Sequence, residues 1–339
     1  MVVGHSGCSD ALYRFIYLFH MPLFFFCSGI FMKNLSDKEN ITLYLKRRIK
    51  GLYISFVKWS LFFLLLHNIL MLVGVYNSYY GFEGGASYYS FKDTIIKALF
   101  ILFTMHDYEE LQGGFWFIRA LFVSSILIVV FSLLLKSVSK YKYEILCVFF
   151  LIITIVIRRF APDPEFWRDI SMGALGAFFY MTGYVLMRYK GCWQNKYGTI
   201  LCCFILFLSY FYFKTPVSMG CGFNKVLLYS IAAVAGILLT LNVSNVINYS
   251  SSFLKRPLFF VGNHTLEILA LHFLMFRVVS YLYLLGYDMD VSHIAEHPVI
   301  ASIHTPSYMW IVYSIVGVCA PIVLVIFYLF ICNSFKKID

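Results

Sequence analysis

Charge is what this chain has least of. Only 13% of its 339 residues are Asp, Glu, Lys or Arg, and the acids are the scarcer, 17 against 27 basic residues. Nine cysteines are present (Cys8, Cys27, Cys147, Cys192, Cys202, Cys203, Cys221, Cys319, Cys332), but no two form a CxxC pair and no spacing suits zinc, so no metal site is expected from them. Internal repeats and low-complexity tracts are absent as well. The N-terminus has neither a basic flank nor an A-x-A site, and no cleavable signal is expected. What fills the chain instead is apolar: 61% hydrophobic residues, 20% aromatic, and a mean hydropathy of +0.79. That balance lies outside the range of soluble domains and predicts a polytopic, all-α membrane bundle forming a single domain over residues 1–339.

Runs long enough to cross about 30 Å of hydrocarbon occur at 15–32, 52–73, 115–136, 144–157, 169–187, 198–213, 226–247, 257–284 and 308–332. These are nine complete spans. The net charge of +10 raises the question of a polyanionic partner, but the basic residues fall in short groups between spans, so the bilayer is the expected partner and no nucleic acid is. One set of alternate loops holds sixteen (Lys33, Lys38, Lys46, Arg47, Arg48, Lys50, Lys136, Lys140, Lys142, Arg188, Lys190, Lys196, Lys255, Arg256, Lys336, Lys337). The other holds seven (Lys92, Lys97, Arg158, Arg159, Arg168, Lys214, Lys225). By the positive-inside rule the C-terminus is cytoplasmic, and residues 1–5 are the outer end of a further helix, which brings the expected total to about ten. Asp93–Thr104, in the outer segment 74–114, is expected to form an amphipathic surface helix.

Ionisable groups inside apolar runs are costly and point to function. His5 and His20 sit at the edges of two such runs, joined by a short loop, and are expected at similar depth in the outer half of the bilayer. Tyr13, Tyr17 and His20 share a stripe, with Pro22 set to distort the helix beside them. Trp116 and Arg119 are neighbours at i, i+3, and Arg119 must snorkel or find a carboxylate, phosphate or carbonyl. The stretch Val261 to Arg277 is the most polar of the membrane runs. In it His264 and Glu267 are neighbours, while His272 is expected about 22 Å above the cytoplasmic edge if the helix starts near Pro257. His293, Glu296, His297 and His304 read as a solvated outer loop, and His67 and His106 have no evident partner.

Five stretches, in order, carry a resemblance to a known family: Val2-Val-Gly-His5-Ser, Phe19-His-Met-Pro-Leu-Phe-Phe-Phe-Cys-Ser28-Gly29, Gly114-Phe-Trp116-Phe-Ile, Phe178-Phe-Tyr-Met-Thr-Gly183-Tyr184, and Val261 through Phe273. The chain resembles acyltransferase family 3 of bacterial membrane proteins, in the branch of fucose 4-O-acetylases. The resemblance implies a bundle of about ten helices in the bacterial cytoplasmic membrane. It also implies transfer of an acyl group, usually acetyl, from acyl-coenzyme A to a carbohydrate hydroxyl, free or lipid-linked, with no bound cofactor, and a catalytic His5. The family's pattern has an arginine eleven positions before that histidine, which here would precede Met1. Either translation starts further upstream, or the chain lacks the first half of its first helix and is an inactive remnant.

Acyl transfer to an alcohol needs a base for the hydroxyl proton and a site that steadies the oxyanion. The expected base is His5, with His20, His272 and Glu267 in the same catalytic set. Trp116, Arg119, Tyr17, Ser28 and Asn263 are the expected substrate-binding residues, and Arg47, Arg48 and Lys50 are expected to meet the phosphates of acetyl-CoA. The rival class is a transporter of glycan intermediates, since intramembrane His, Glu and Arg also build proton relays.

Overall fold

In hydrocarbon a backbone must satisfy its own polar groups, which leaves these apolar runs one local choice, the helix. A computed structural model describes the chain except for residues 36, 83, 136–140, 162–166, 190–194, 251 and 336–339, and among the described residues there are helices and turns but no strand. The basic positions Lys136, Lys140, Lys190, Lys336 and Lys337, and Cys192, lie outside the described residues.

The helices are α1 (Val2–His5), α2 (Asp10–Tyr17), α3 (His20–Ile30), α4 (Lys38–Arg48), α5 (Ile54–Leu72), α6 (Phe91–Thr104), α7 (Trp116–Leu134), α8 (Lys142–Phe160), α9 (Arg168–Leu186), α10 (Lys196–Tyr212), α11 (Phe223–Ser250), α12 (Ser252–Asn263), α13 (Thr265–Gly286) and α14 (Met309–Phe335). Seven helical stretches among the described residues are long and apolar enough to cross a membrane: Asp10–Ile30, Lys38–Leu72, Trp116–Leu134, Arg168–Tyr189, Phe223–Tyr249, Thr265–Gly286 and Met309–Ile331. The two remaining predicted runs, 144–157 and 198–213, fall on α8 and α10. The chain is a multi-pass helical membrane protein.

Three local readings change. The basic loop between the runs 15–32 and 52–73, which holds Lys33 to Lys50, is helix from Lys38, carried into α5 by a π-helical turn at Ile49–Tyr53. The run 15–32 breaks just before His20, so Pro22 occupies the third position of α3, where its missing N–H has no helical partner to lose. The run 257–284 is interrupted at His264: α12 is exposed along nearly its whole length, and α13 begins afresh at Thr265. His272 is therefore about 10 Å from the start of its own helix, not 22 Å. The amphipathic α6 forms as expected and one residue pair earlier. Ser90 and Asp93 make a capping box, Ile101 is buried, and Phe91, Leu99, Phe100 and Phe103 are exposed.

The chain divides into two compact units, one of Met1–Ser9, Phe56–Trp116 and Ser252–Asp339, the other of Asp10–Ser55 and Phe117–Ser251. In the second unit α3 and α9 cross through glycine. A Cβ on Gly29 would lie on the Tyr180 carbonyl oxygen and 2.8 Å from its carbon, and one on Gly183 would lie 3.0 Å from the Phe26 carbonyl carbon. Backbone meets backbone there, as small residues permit in membrane helix pairs. Gly29→Val is expected to destabilise the protein by about 3 kcal/mol or more, because neither carbonyl can retreat without dragging its helix. Thermal unfolding in detergent checks this, and an unchanged midpoint would refute the close crossing. Elsewhere in this unit Arg158 ties down the 219–221 turn, donating to the Cys221 and Met219 carbonyls at 2.5 and 2.6 Å and to Ser171 Oγ at 2.7 Å.

In the first unit α13 is the most enclosed of the spanning helices. It packs on α14, with Ser280 and Tyr313 hydroxyls 2.9 Å apart, and a Cβ on Gly317 would touch both Phe276 and Val2. The short α1 thus lies on α14 beside α13, and Ser314 donates to Ser6 at 3.0 Å.

Candidate active site

Because α13 is enclosed, its polar side chains must find partners inside the protein. His272 is fully buried, and its Nδ1 lies 3.0 Å from both the Ile268 and the Leu269 carbonyl oxygens. Carbonyls only accept, so Nδ1 carries the proton, and in the neutral ring Nε2 is left with its lone pair. No partner meets that Nε2 among the described residues. His5 ends α1 with its ring centroid 5.8 Å from that of His272 and 5.0 Å from that of Phe273. The α1 backbone, held against α14, is what brings it there.

A third imidazole joins them from the last outer loop. His297 lies 4.7 Å from Phe273, centroid to centroid, so that His5 and His297 both rest on the ring next to His272. Above this group runs Gln112-Gly113-Gly114. A Cβ on Gly113 would stand 3.5 Å from both His297 Nε2 and Phe273, and one on Gly114 would stand 2.8 Å from Leu269 and 3.9 Å from His272. Gln112, in the 3-10 turn Glu110–Gln112, is fully buried, and neither of its amide atoms has a partner among the described residues. Each such orphan left dry costs about 1–3 kcal/mol, the price of desolvation without a bond.

Arg277, one turn and a half along α13, fastens this roof. Its Nη1 donates to the Ile294 carbonyl at 2.7 Å and to the Glu296 carbonyl, and its Nη2 lies 3.5 Å from Glu110 Oε2. Glu110 in turn accepts the Phe82 amide at 2.9 Å. Burial raises the Glu110 carboxyl above its ordinary value, against the opposing pull of the Phe82 amide and Arg277. Burial, followed by the nearby Arg277 and His5, pushes the His297 imidazole down to about 3, so the ring stays neutral at physiological pH. The loop expected to be solvated is folded inward.

Glu296 braces that loop from within. Its carboxylate accepts the Ala301 and Ser302 amides at 2.6 and 2.8 Å, meets His293 Nδ1 at 2.5 Å and takes the Ser302 hydroxyl. Burial would raise its pKa, but these bonds together outweigh burial and lower it. A carboxyl with a lowered folded pKa contributes stability above its ordinary value, and that contribution is lost as pH falls through the lowered one. The protection of residues 291–302 from hydrogen exchange, taken relative to the intrinsic rate at each pH, is therefore expected to fall on acidification below the usual carboxylate range, and Glu296→Gln to remove the dependence. Equal pH dependence in both proteins would refute the brace.

The other expected residues are distributed as follows. Glu267 stands in the first turn of α13, half-buried, where its charge suits the helix N-terminus, and it makes no hydrogen bond or ion pair among the described residues. Asn263 is exposed at the end of α12, and Trp116, half-buried, opens α7. In the second unit His20 holds the Ile16 carbonyl at 2.9 Å and meets Tyr17 edge-on at 4.6 Å, with the Tyr13 ring tilted against Tyr17 at 4.0 Å, as the stripe predicts. Ser28 is half-buried next to the Gly29 crossing. Arg119 is buried and has found a carboxylate, Asp169, at 3.1 Å. Of the cations expected to meet the donor's phosphates Arg47 and Lys50 are exposed, whereas Arg48 reaches inward to the Tyr180 hydroxyl and lies 5.0 Å over the Tyr44 ring.

Sequence reasoning missed His297, Arg277, Glu110 and Gln112 as members of this group. It also left His67 unpartnered, whereas His67 joins Glu109 at 2.9 Å and the Ser87 carbonyl at 2.9 Å, stacked on Tyr89 at 3.6 Å. No group of three or more metal-ligating side chains occurs among the described residues.

Comparison with curated proteins and with solved structures gives no significant match. The family profile described as an acyltransferase domain, that of acyltransferase family 3, matches residues 2–330, a span that runs from the α1 histidine through α13 and its roof into α14. With paired imidazoles in a helical membrane bundle, the chain belongs to acyltransferase family 3 and is a membrane acyltransferase.

Proposed function

We propose that this protein moves an acyl group, acetyl in the first instance, from acyl-coenzyme A to a hydroxyl of a cell-surface or capsular carbohydrate, as the fucose 4-O-acetylase branch does. It works in the bacterial cytoplasmic membrane with its C-terminus in the cytoplasm. The observation that carries the chemistry is His272, whose Nδ1 is committed to two carbonyls and whose unpaired Nε2 leaves a fixed hydrogen-bond acceptor beside His5.

His5 is the general base. It is partly accessible where His272 is sealed, so it is the imidazole an acceptor can reach. The acceptor oxygen attacks the thioester carbonyl carbon as its proton passes to His5. The tetrahedral intermediate collapses with cleavage of the C–S bond, and the thiolate leaves as coenzyme A thiol on taking that proton back. His272 keeps the base oriented, and Glu267 supports the same set from the first turn of α13. His20, Tyr17, Ser28, Asn263, Trp116 and Arg119 are assigned to the acceptor or the pantetheine arm, and Arg47, Arg48 and Lys50 to the donor's phosphates.

Membranes containing the chain, with whatever its gene encodes upstream of Met1, test the reading. Radiolabelled acetyl-CoA is expected to leave alkali-labile label in the carbohydrate fraction. Label confined to free acetate, with none on carbohydrate, would refute it.

A further inference from the structure

The acyl-transfer reading uses His5 and His272 and leaves their neighbours without a task. Those neighbours are His297, whose Nδ1 is buried without a partner, and Gln112, whose amide is fully buried with neither atom paired. Both belong to the roof. The 3-10 turn of Gln112 and the 3-10 turn at Val291–Ala295, just before His297, each pack on α13, and Arg277 joins them. Native proteins rarely leave so many buried polar atoms in one place without a partner, and ordered water or a bound ligand that takes its place supplies one.

The chemistry of the orphans says what kind of ligand. A neutral imidazole and a carboxamide each offer a donor and an acceptor. Their match is a group that does the same, the hydroxyl. An anion is a poor match, because the cation of the roof, Arg277, already spends its charge on Glu110 and on two loop carbonyls.

We propose that His297 and Gln112 form the acceptor subsite, binding neighbouring hydroxyls of a carbohydrate and so presenting one of them to His5. This rests on the carbohydrate acyltransferase reading above. In it the last outer loop, and not the membrane helices alone, selects the acceptor.

The test uses membranes with the full chain, radiolabelled acetyl-CoA as donor, and envelope polysaccharide of the producing cell, freed of esters by mild alkali, as acceptor. His297→Ala and Gln112→Ala are each expected to raise the acceptor KM about tenfold, the loss of one hydrogen bond to a hydroxyl. The acetyl-CoA KM is expected to stay within about twofold, and His297→Gln to recover part of the loss. An acceptor KM unchanged in both alanine variants would overturn the subsite and leave the orphans to water. No label on carbohydrate from the wild-type chain would overturn the underlying reading, and the subsite with it. A second measurement needs no variant: diethyl pyrocarbonate modification of His297, followed by mass spectrometry, is expected to fall when the polysaccharide is added. Equal modification with and without it would overturn the proposal even where an alanine variant fails to fold.

Discussion

His5→Ala is expected to lower acyl transfer by about a thousandfold, within the range that a positioned general base contributes, while the protein stays folded. The two halves of that expectation come from the same geometry. The His5 ring touches Phe273 and lies near His272, yet it makes no hydrogen bond among the described residues, so its removal strands no partner. His272→Ala should behave differently. Its Nδ1 holds two carbonyls in an enclosed helix, and its loss adds a packing defect to the chemical one. Initial rates of label transfer, read beside the unfolding midpoint in detergent, separate the two. Transfer by His5→Ala at the wild-type rate would remove His5 from the mechanism.

Arg277→Ala is the substitution expected to damage the fold most. Three attachments fail at once: the Ile294 and Glu296 carbonyls lose their donor, and the half-buried Glu110 loses its counter-charge. Removing one member of a buried ion pair costs about 3–5 kcal/mol, because the other is left charged and unpaired. Arg277→Lys should rescue little, since a single ammonium cannot span two carbonyls and a carboxylate as a planar fork does. The expected readouts are a lowered unfolding midpoint and faster hydrogen exchange in residues 291–302. If both stay at wild-type values, Arg277 does not hold the roof.

The fold was largely legible because hydrocarbon allows so few alternatives. Apolar runs gave the helices, and Ser90 with Asp93 marks the start of α6 through local capping alone. Errors came where a run is continuous in composition but not in shape. Gly262-Asn263 is a turn signal inside 257–284, and it was overridden by flanking Phe259, Phe260 and Leu266, which suit either a lipid-facing helix or an exposed one. The candidate site was legible only where an ionisable group sits inside an apolar run, as with His5 and His272, which the structure brings together. His297 lies in a segment whose Asp, Ser, His and Pro read as solvated. What folds that segment inward is Arg277, close to twenty residues back in the sequence, and no local pattern encodes the meeting.

The wide turn at Ile49–Tyr53 sets a limit on chain length. A π turn holds one residue more than an α turn, equivalent to about 100° of rotation withheld. Just before it Arg48 reaches Tyr180, and at its last residue Tyr53 lies 6.0 Å from Phe122. Loss of a single residue here would restore a regular helix and swing one of those side chains off its partner. Relatives that change the side chains of Ile49 to Leu52 can keep both contacts, whereas one that changes the number of residues must rebuild one of them.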